Sequence, residues 1–230
     1  MVRIIDIGNT PARVADWDGA VFSNWQMLDT ANIAEFDLTA NLPCAAACVC
    51  PDAAKKLQGR GIRFISALDQ DSKVDFSLAD CTTLGADRVA NAIALAELFP
   101  LPGAVIDCGT AITLELVDAD YRFVGGAIAP GRALMRGSLE FGTAQLPHTE
   151  LLEKLPDEPG LNTVDAIGVG IASCASGVVK EFARAAERKF KLKSLVLTGG
   201  DAGFFHQALP EATLCSKEFT LHGVRIGAGF

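Results

Sequence analysis

The chain has 230 residues, half of them hydrophobic, and a net charge of −8. That length buries a sizeable core as one large or two small domains, and the acidic balance excludes an electrostatic nucleic-acid binder, which concentrates basic surface. No uninterrupted apolar run approaches the ~18 residues of a membrane span, and Met1-Val2-Arg3-Ile4 carries no signal-peptide pattern, so no membrane partner and a cytoplasmic location are expected.

Residues 2–7 are an apolar run that predicts a buried strand, and 12–17 predict a second. Asp18-Gly19 is a hairpin signal, and a third strand follows over 21–28. A short helix is expected over 31–38, a strand over 45–49, a helix from Asp52 to Gly59 and a strand over 62–65. Cys44, Cys48 and Cys50 surround that second apolar stretch; without a partner pair at ligand spacing they read as reduced thiols rather than a zinc site. Residues 66–84 are polar and aperiodic, a surface loop.

Gly85-Ala86-Asp87-Arg88 opens a helix whose apolar face is Val89, Ala92, Ile93, Ala96 and Leu98, stopped by Pro100. Strands over 104–108 and 112–118 follow, then one over 121–128 carrying Gly125-Gly126. A helix over 132–141, an extended piece at 143–146 and a polar, proline-containing loop over 147–162 come next. A long helix over 164–191 leads to a buried strand at 194–198 that ends in Gly199-Gly200. A short helix, a strand near 213–215 and a helix from about 221 complete the chain.

Two stretches in this order are near copies. Ile4-Ile5-Asp6-Ile7-Gly8-Asn9-Thr10 and Val105-Ile106-Asp107-Cys108-Gly109-Thr110 each run strand, Asp-x-Gly turn, strand. Their separation of about a hundred residues is far beyond a solenoid period, so the pattern is a single duplication. An α/β fold of two similar halves is expected, divided as 1–100 and 101–230.

Neither a P-loop nor a Gly-x-Ser-x-Gly elbow is present, and His148, His206 and His222 are scattered. What remains is a set of glycine turns, each after an apolar strand: those at Gly8, Gly109, Gly125-Gly126 and Gly199-Gly200. Glycine lets backbone N–H groups approach a phosphate closely. A carboxylate beside such a turn can hold hydrated Mg2+, which takes one or two carboxylates together with waters and phosphate oxygens. Arg13, on the strand leaving the first turn, adds a positive charge. Taken by residue type and position alone, Asp87 and Arg88 read as a helix N-cap beside a solvated charge.

In order, the chain contains Asp6-x-Gly-Asn-Thr10, Gly85-x-Asp-Arg88, Asp107-x-Gly-Thr-Ala-x-Thr113, Gly125-Gly-x-Ile-x-Pro-Gly131, Thr143-Ala-x-Leu-Pro147 and Leu197-Thr-Gly-Gly200. This ordered set, spanning nearly the whole chain, resembles the type III pantothenate kinases. The resemblance implies two duplicated ribonuclease-H-like domains, each a mixed sheet with helices, with the active site in the cleft between them. It implies ATP-dependent phosphorylation of pantothenate, the first step of coenzyme A biosynthesis, with Mg2+ and a monovalent cation (K+ or NH4+) as cofactors. ATP would be held by Asp6, Ile7, Gly8, Asn9, Thr10, Pro11, Ala12 and Arg13, the last where the family usually has Lys, together with Thr110. Gly85, Ala86, Asp87 and Arg88 would line the pantothenate site, and Asp87 would be the general base. Asp107 would bind the monovalent cation and Asp6 would help place Mg2+. Thr163 matches a Thr that reaches pantothenate from a partner subunit, which implies a homodimer.

One departure stands out. The family usually has a Tyr shortly before Gly-x-Asp-Arg, but Phe76–Cys81 has none, and the only Tyr is Tyr121. The alternatives are a kinase of the same superfamily acting on another small hydroxy acid, and a non-catalytic regulatory protein with the same fold.

Overall fold

The computed structural model describes residues 1–39 and 41–230. Its first half contains β1 (Val2–Ile7), β2 (Pro11–Trp17), β3 (Phe22–Asp29), a 3-10 helix (Thr30–Glu35), β4 (Cys44–Cys48), α1 (Pro51–Leu57) and β5 (Ile62–Phe64). After a loop and α2 (Ala86–Leu98), the second half contains β6 (Gly103–Cys108), β7 (Ala111–Val117), β8 (Phe123–Pro130), α3 (Arg132–Gly142), α4 (Thr163–Lys189), β9 (Ser194–Thr198), α5 (Ala202–His206), β10 (Thr213–Leu214) and α6 (Phe219–Gly227).

The duplication is visible as topology. Among the described residues the strands form two five-stranded sheets, ordered β3-β2-β1-β4-β5 and β8-β7-β6-β9-β10. In each, the first three strands pair antiparallel and the last two join in parallel. The two hairpins differ slightly. Ile7 lies opposite Ala12 in the first, whereas Cys108 lies opposite Ile112 in the second, so the first turn is one residue longer.

Strand alternation decides which side chains meet. In β1, Ile5 and Ile7 face α1 and the 3-10 helix, while Val2 and Ile4 face a central core. In β6, Ala104, Ile106 and Cys108 face α4 and α5, while Val105 faces the same central core. Asp6 and Asp107 keep the parity of Ile4 and Val105. Both therefore point into the layer between the sheets.

That layer is filled by α2 and α6. Val89, Ala90, Ile93 and Leu95 of α2 and Leu221 and Val224 of α6 are fully buried there. The helices touch closely at Gly223, where a Cβ would meet the Ala90 carbonyl oxygen. The last helix thus serves the layer that β1 of the first half also lines.

One expectation is corrected. The helix expected over 31–38 is a 3-10 stretch ending at Glu35, started by Asp29, whose carboxylate accepts from the Ala31 N–H. Thr143, extended at φ −134° and ψ 154°, opens the piece over 143–146 and ends α3: its hydroxyl donates to the Leu139 carbonyl and accepts from the Leu146 N–H. The 27-residue α4 is also long and apolar enough by composition to cross a membrane, although Asp165, serines and glycines interrupt its apolar run. Here Ala172, Ala175, Val179, Ala183 and Ala186 bury one face of it against the second sheet. Cys44 is buried at the start of β4, and Cys48 is half-buried at its end.

Candidate active site

The two Asp-x-Gly turns and the first turn of α2 converge on one cleft of about 230 Å3, walled by Asp6, Gly8, Asn9, Pro11, Arg13, Asp87, Asp107, Gly109 and Thr110 among others. Each turn is closed by its glycine: the Gly8 N–H donates to the Pro11 carbonyl at 3.1 Å and the Gly109 N–H to the Ala111 carbonyl at 3.0 Å. A Cβ on Gly8 would sit 3.0 Å from that Pro11 oxygen.

The second turn is braced by two further glycine turns. The Gly131 N–H donates to the Thr110 carbonyl at 2.9 Å, and a side chain there would strike the Gly109 and Thr110 carbonyls. Gly199, at φ +95°, packs against the Asp107 carboxylate, and the Asp201 N–H donates to the Cys108 carbonyl at 2.8 Å. Arg132 fastens these braces to each other. It binds Asp201 through both arms, at 2.6 and 3.1 Å, while its guanidinium lies 3.8 Å over the Phe204 ring.

Three carboxylates thus face the space, and among the described residues Arg13 is the cation on its wall. Arg13 Nη1 lies 3.5 Å from Asp6 Oδ2, a long and partly exposed pair. Burial pushes the Asp6 carboxyl up to about 7; Arg13 opposes this, and the Asp107 and Asp87 charges add to it. Burial also raises Asp107, despite the 2.9 Å bond from Asn91 Nδ2 to its Oδ2, and raises Asp87. Such a site is under-compensated, and its donors are hard oxygens, the chemistry that Mg2+ and K+ take. No group of three or more potential ligands is close enough to hold a metal ion alone among the described residues. That suits an ion that completes its shell with phosphate oxygens and water.

Asp87 is not the helix cap. Gly85 occupies that position, and Asp87 stands in the first turn, its Oδ1 accepting from the Arg88 N–H at 2.8 Å. Arg88 is not a solvated charge either. Its Nε donates to Glu115 Oε1 at 2.9 Å, and its Nη2 reaches the Leu114 carbonyl at 3.3 Å. Arg88 is absent from the cleft wall, which Asp87 joins. Ala86 is buried, while Ile7 and Ala12 point into the core behind the first turn. Thr10 and Thr163 are exposed; Thr163 opens α4 after its cap Asn162 and lies outside the cleft.

Sequence reading passed over Glu115, Asn91, Thr220, Arg132 and Asp201. Glu115 had a signal: it shares the parity of Thr113 and Val117 on β7, so a charge was due to face the central layer. The segment lacking the Tyr is docked where the single Tyr sits: the Asp75 N–H donates to the Tyr121 carbonyl at 2.9 Å, and the Phe76 and Phe123 rings lie 5.5 Å apart.

Two ribonuclease-H-like halves closing on an acidic, glycine-walled cleft define the fold of the acetate and sugar kinase, actin and Hsp70 superfamily. Solved structures agree. A conserved Campylobacter jejuni protein assigned to the Baf family of transcriptional activators superposes with a TM-score of 0.67 at 22% identity, over 97% of this chain and 95% of that one. The ROK hexokinase of Thermus thermophilus matches at 0.50 and 14% identity, over 99% and 98%. The sequence is more specific. The family model for type III pantothenate kinase matches residues 3–185. The Endomicrobium trichonymphae type III pantothenate kinase is 31% identical over 198 residues, 86% of this chain and 75% of that protein. The chain belongs to the type III pantothenate kinase family.

Proposed function

We propose that this protein phosphorylates the primary hydroxyl of pantothenate with ATP, and that Asp87 takes the proton. The observation that carries this is the meeting of Asp6, Asp87 and Asp107 with both glycine turns in one cleft, in a chain matching the family model over residues 3–185.

Phosphoryl transfer needs in-line positioning and neutralisation of charge more than covalent help from the protein. The backbone N–H groups of the Asp6–Arg13 turn and the Thr110 hydroxyl orient the phosphates, and Arg13 adds a fixed positive charge. Asp87, raised by burial, is a better proton acceptor than an exposed carboxylate. Asp6 would hold Mg2+ and Asp107 the monovalent cation, and bound ions there supply the charge neutralisation that the three carboxylates lack. Gly85, Ala86 and Asp87 form the pantothenate side. Arg88 acts from behind it, since its guanidinium already has an internal carboxylate.

A homodimer accounts for Thr163. It is exposed outside the cleft, beside Leu161 and Val164, which are 95% and 49% exposed. A partner subunit would bring such a residue to a neighbour's substrate. The cleft chemistry and the unpaired cysteines suit a cytoplasmic enzyme. The test is ADP release with pantothenate as acceptor, with and without K+ or NH4+. Turnover that requires pantothenate is expected; none with pantothenate, but turnover with another hydroxy acid, would overturn the substrate assignment.

A further inference from the structure

The three carboxylates of the cleft are not supported equally. Asp107 alone receives a side-chain hydrogen bond from a neutral, fully enclosed partner: Asn91 Nδ2 donates to its Oδ2 at 2.9 Å. Asn91 sits one turn into α2 from Asp87 and is 1% exposed. Its other amide atom is bound as well, because Thr220 Oγ1 donates to Asn91 Oδ1 at 2.9 Å. Thr220 lies in the first turn of α6, is 4% exposed, and is absent from the cleft wall.

The order of this chain follows from what each group can do. A carboxylate only accepts, so Asn91 must turn its NH2 toward Asp107. Its carbonyl then faces α6 inside the core, where an oxygen that has lost water and found no partner is destabilising. The Thr220 hydroxyl removes that cost and fixes the amide plane. With Oδ2 held in this way, Asp107 presents Oδ1 beside Gly199, where a side chain would collide with it.

We propose that Thr220 and Asn91 are positioning residues that aim the Asp107 carboxylate at its monovalent cation, so that α6 sets the ion affinity of a site it does not touch. This rests on the reading of Asp107 as the ligand of that ion.

The test is a KCl titration read by thermal melting with ADP present, choline chloride holding ionic strength constant, beside the K+ dependence of turnover. A bound ion stabilises the fold by RT ln(1 + [K+]/Kd), so fitting the rise in melting temperature to this form gives the half-saturating K+ concentration. Asn91→Leu should raise the half-saturating K+ concentration about 10-fold, the usual effect of losing a partner behind a ligand. Thr220→Val should raise it severalfold, and Thr220→Ser, which keeps the hydroxyl, should restore it. Thr220→Val added to Asn91→Leu should shift it no further, since the hydroxyl acts only through the amide. A Thr220→Val protein that melts lower but keeps the wild-type K+ midpoint overturns the relay and leaves the Asp107 assignment standing. A wild-type protein without any K+-specific shift overturns both. If Thr220→Val fails to fold, the Asn91→Leu midpoint decides: an unchanged value sinks the proposal.

Discussion

Arg88 Nε donates to Glu115 Oε1 at 2.9 Å and so ties the first turn of α2 to strand β7 of the other half. The Glu115 side chain is 0% exposed and that of Arg88 15%. Removing one partner of a buried pair strands the other in a dry environment. Glu115→Ala should therefore cost about 3–5 kcal/mol in urea melts and lower turnover, because Asp87 loses its anchor. Glu115→Gln keeps an acceptor for Nε and should recover most of that stability. Equal losses in the two variants would count against the bond as the anchor.

Asp87→Asn should lower turnover about 10^2–10^4-fold. ATP affinity, measured by calorimetry without pantothenate, should stay near that of the wild type, because the proposed phosphate cradle is on the Asp6 and Asp107 turns. Unchanged turnover would remove Asp87 from the chemistry.

Stability of the ligand-free protein should fall as pH rises from about 6 to 8. Burial lifts Asp6 from 3.8 to about 7 and raises Asp107 and Asp87 as well. The native state keeps these protons to higher pH than the unfolded chain does. The Asp6 contribution is thus full below about pH 4 and is lost progressively as pH climbs through 7. Exposed carboxylates have finished titrating by pH 6, so the slope above it reports the buried ones. Asp6→Asn should flatten the slope, as should saturating Mg2+ with ATP. Melting temperatures across this range check it; a slope unchanged by Asp6→Asn would exclude Asp6 as its source.

Neighbouring glycines should respond differently to alanine. At Gly126 a Cβ would run into the Leu114 carbonyl and lie 2.6 Å from Arg88 Nη2, so the β7–β8 pairing and the Arg88 anchor would both be disturbed. At Gly125 nothing lies within 4 Å, and only the φ of +109° resists a side chain. Gly125→Ala should cost about 1–3 kcal/mol from backbone strain, and Gly126→Ala more, with a loss of activity that Gly125→Ala does not share.

The duplication was legible because the same strand-turn-strand pattern recurs around Asp6 and Asp107, and because alternation along β1 and β6 sends both side chains the same way. Most element boundaries followed from glycines and prolines. The supporting residues were not legible for a different reason. Asn91 reads as a polar interruption of the α2 apolar face until α6 arrives beside it, and Thr220 has no local feature at all. The tie between Arg88 and Glu115 was not legible because the two are distant in sequence. Arg132 and Asp201 likewise sit on separate turns, and only the close packing of Gly131 and Gly199 brings them together.

The sharing of one buried layer by β1 and α6 has a consequence for synthesis. Val2 and Ile4 leave the ribosome early, but they bury against a core that includes Leu221, Val224 and Ala228. Until α6 emerges, the first sheet has an uncovered apolar face and Asp107 lacks the far end of its support. Docking of α6 therefore completes both the cover of the first sheet and the support of Asp107 in one step.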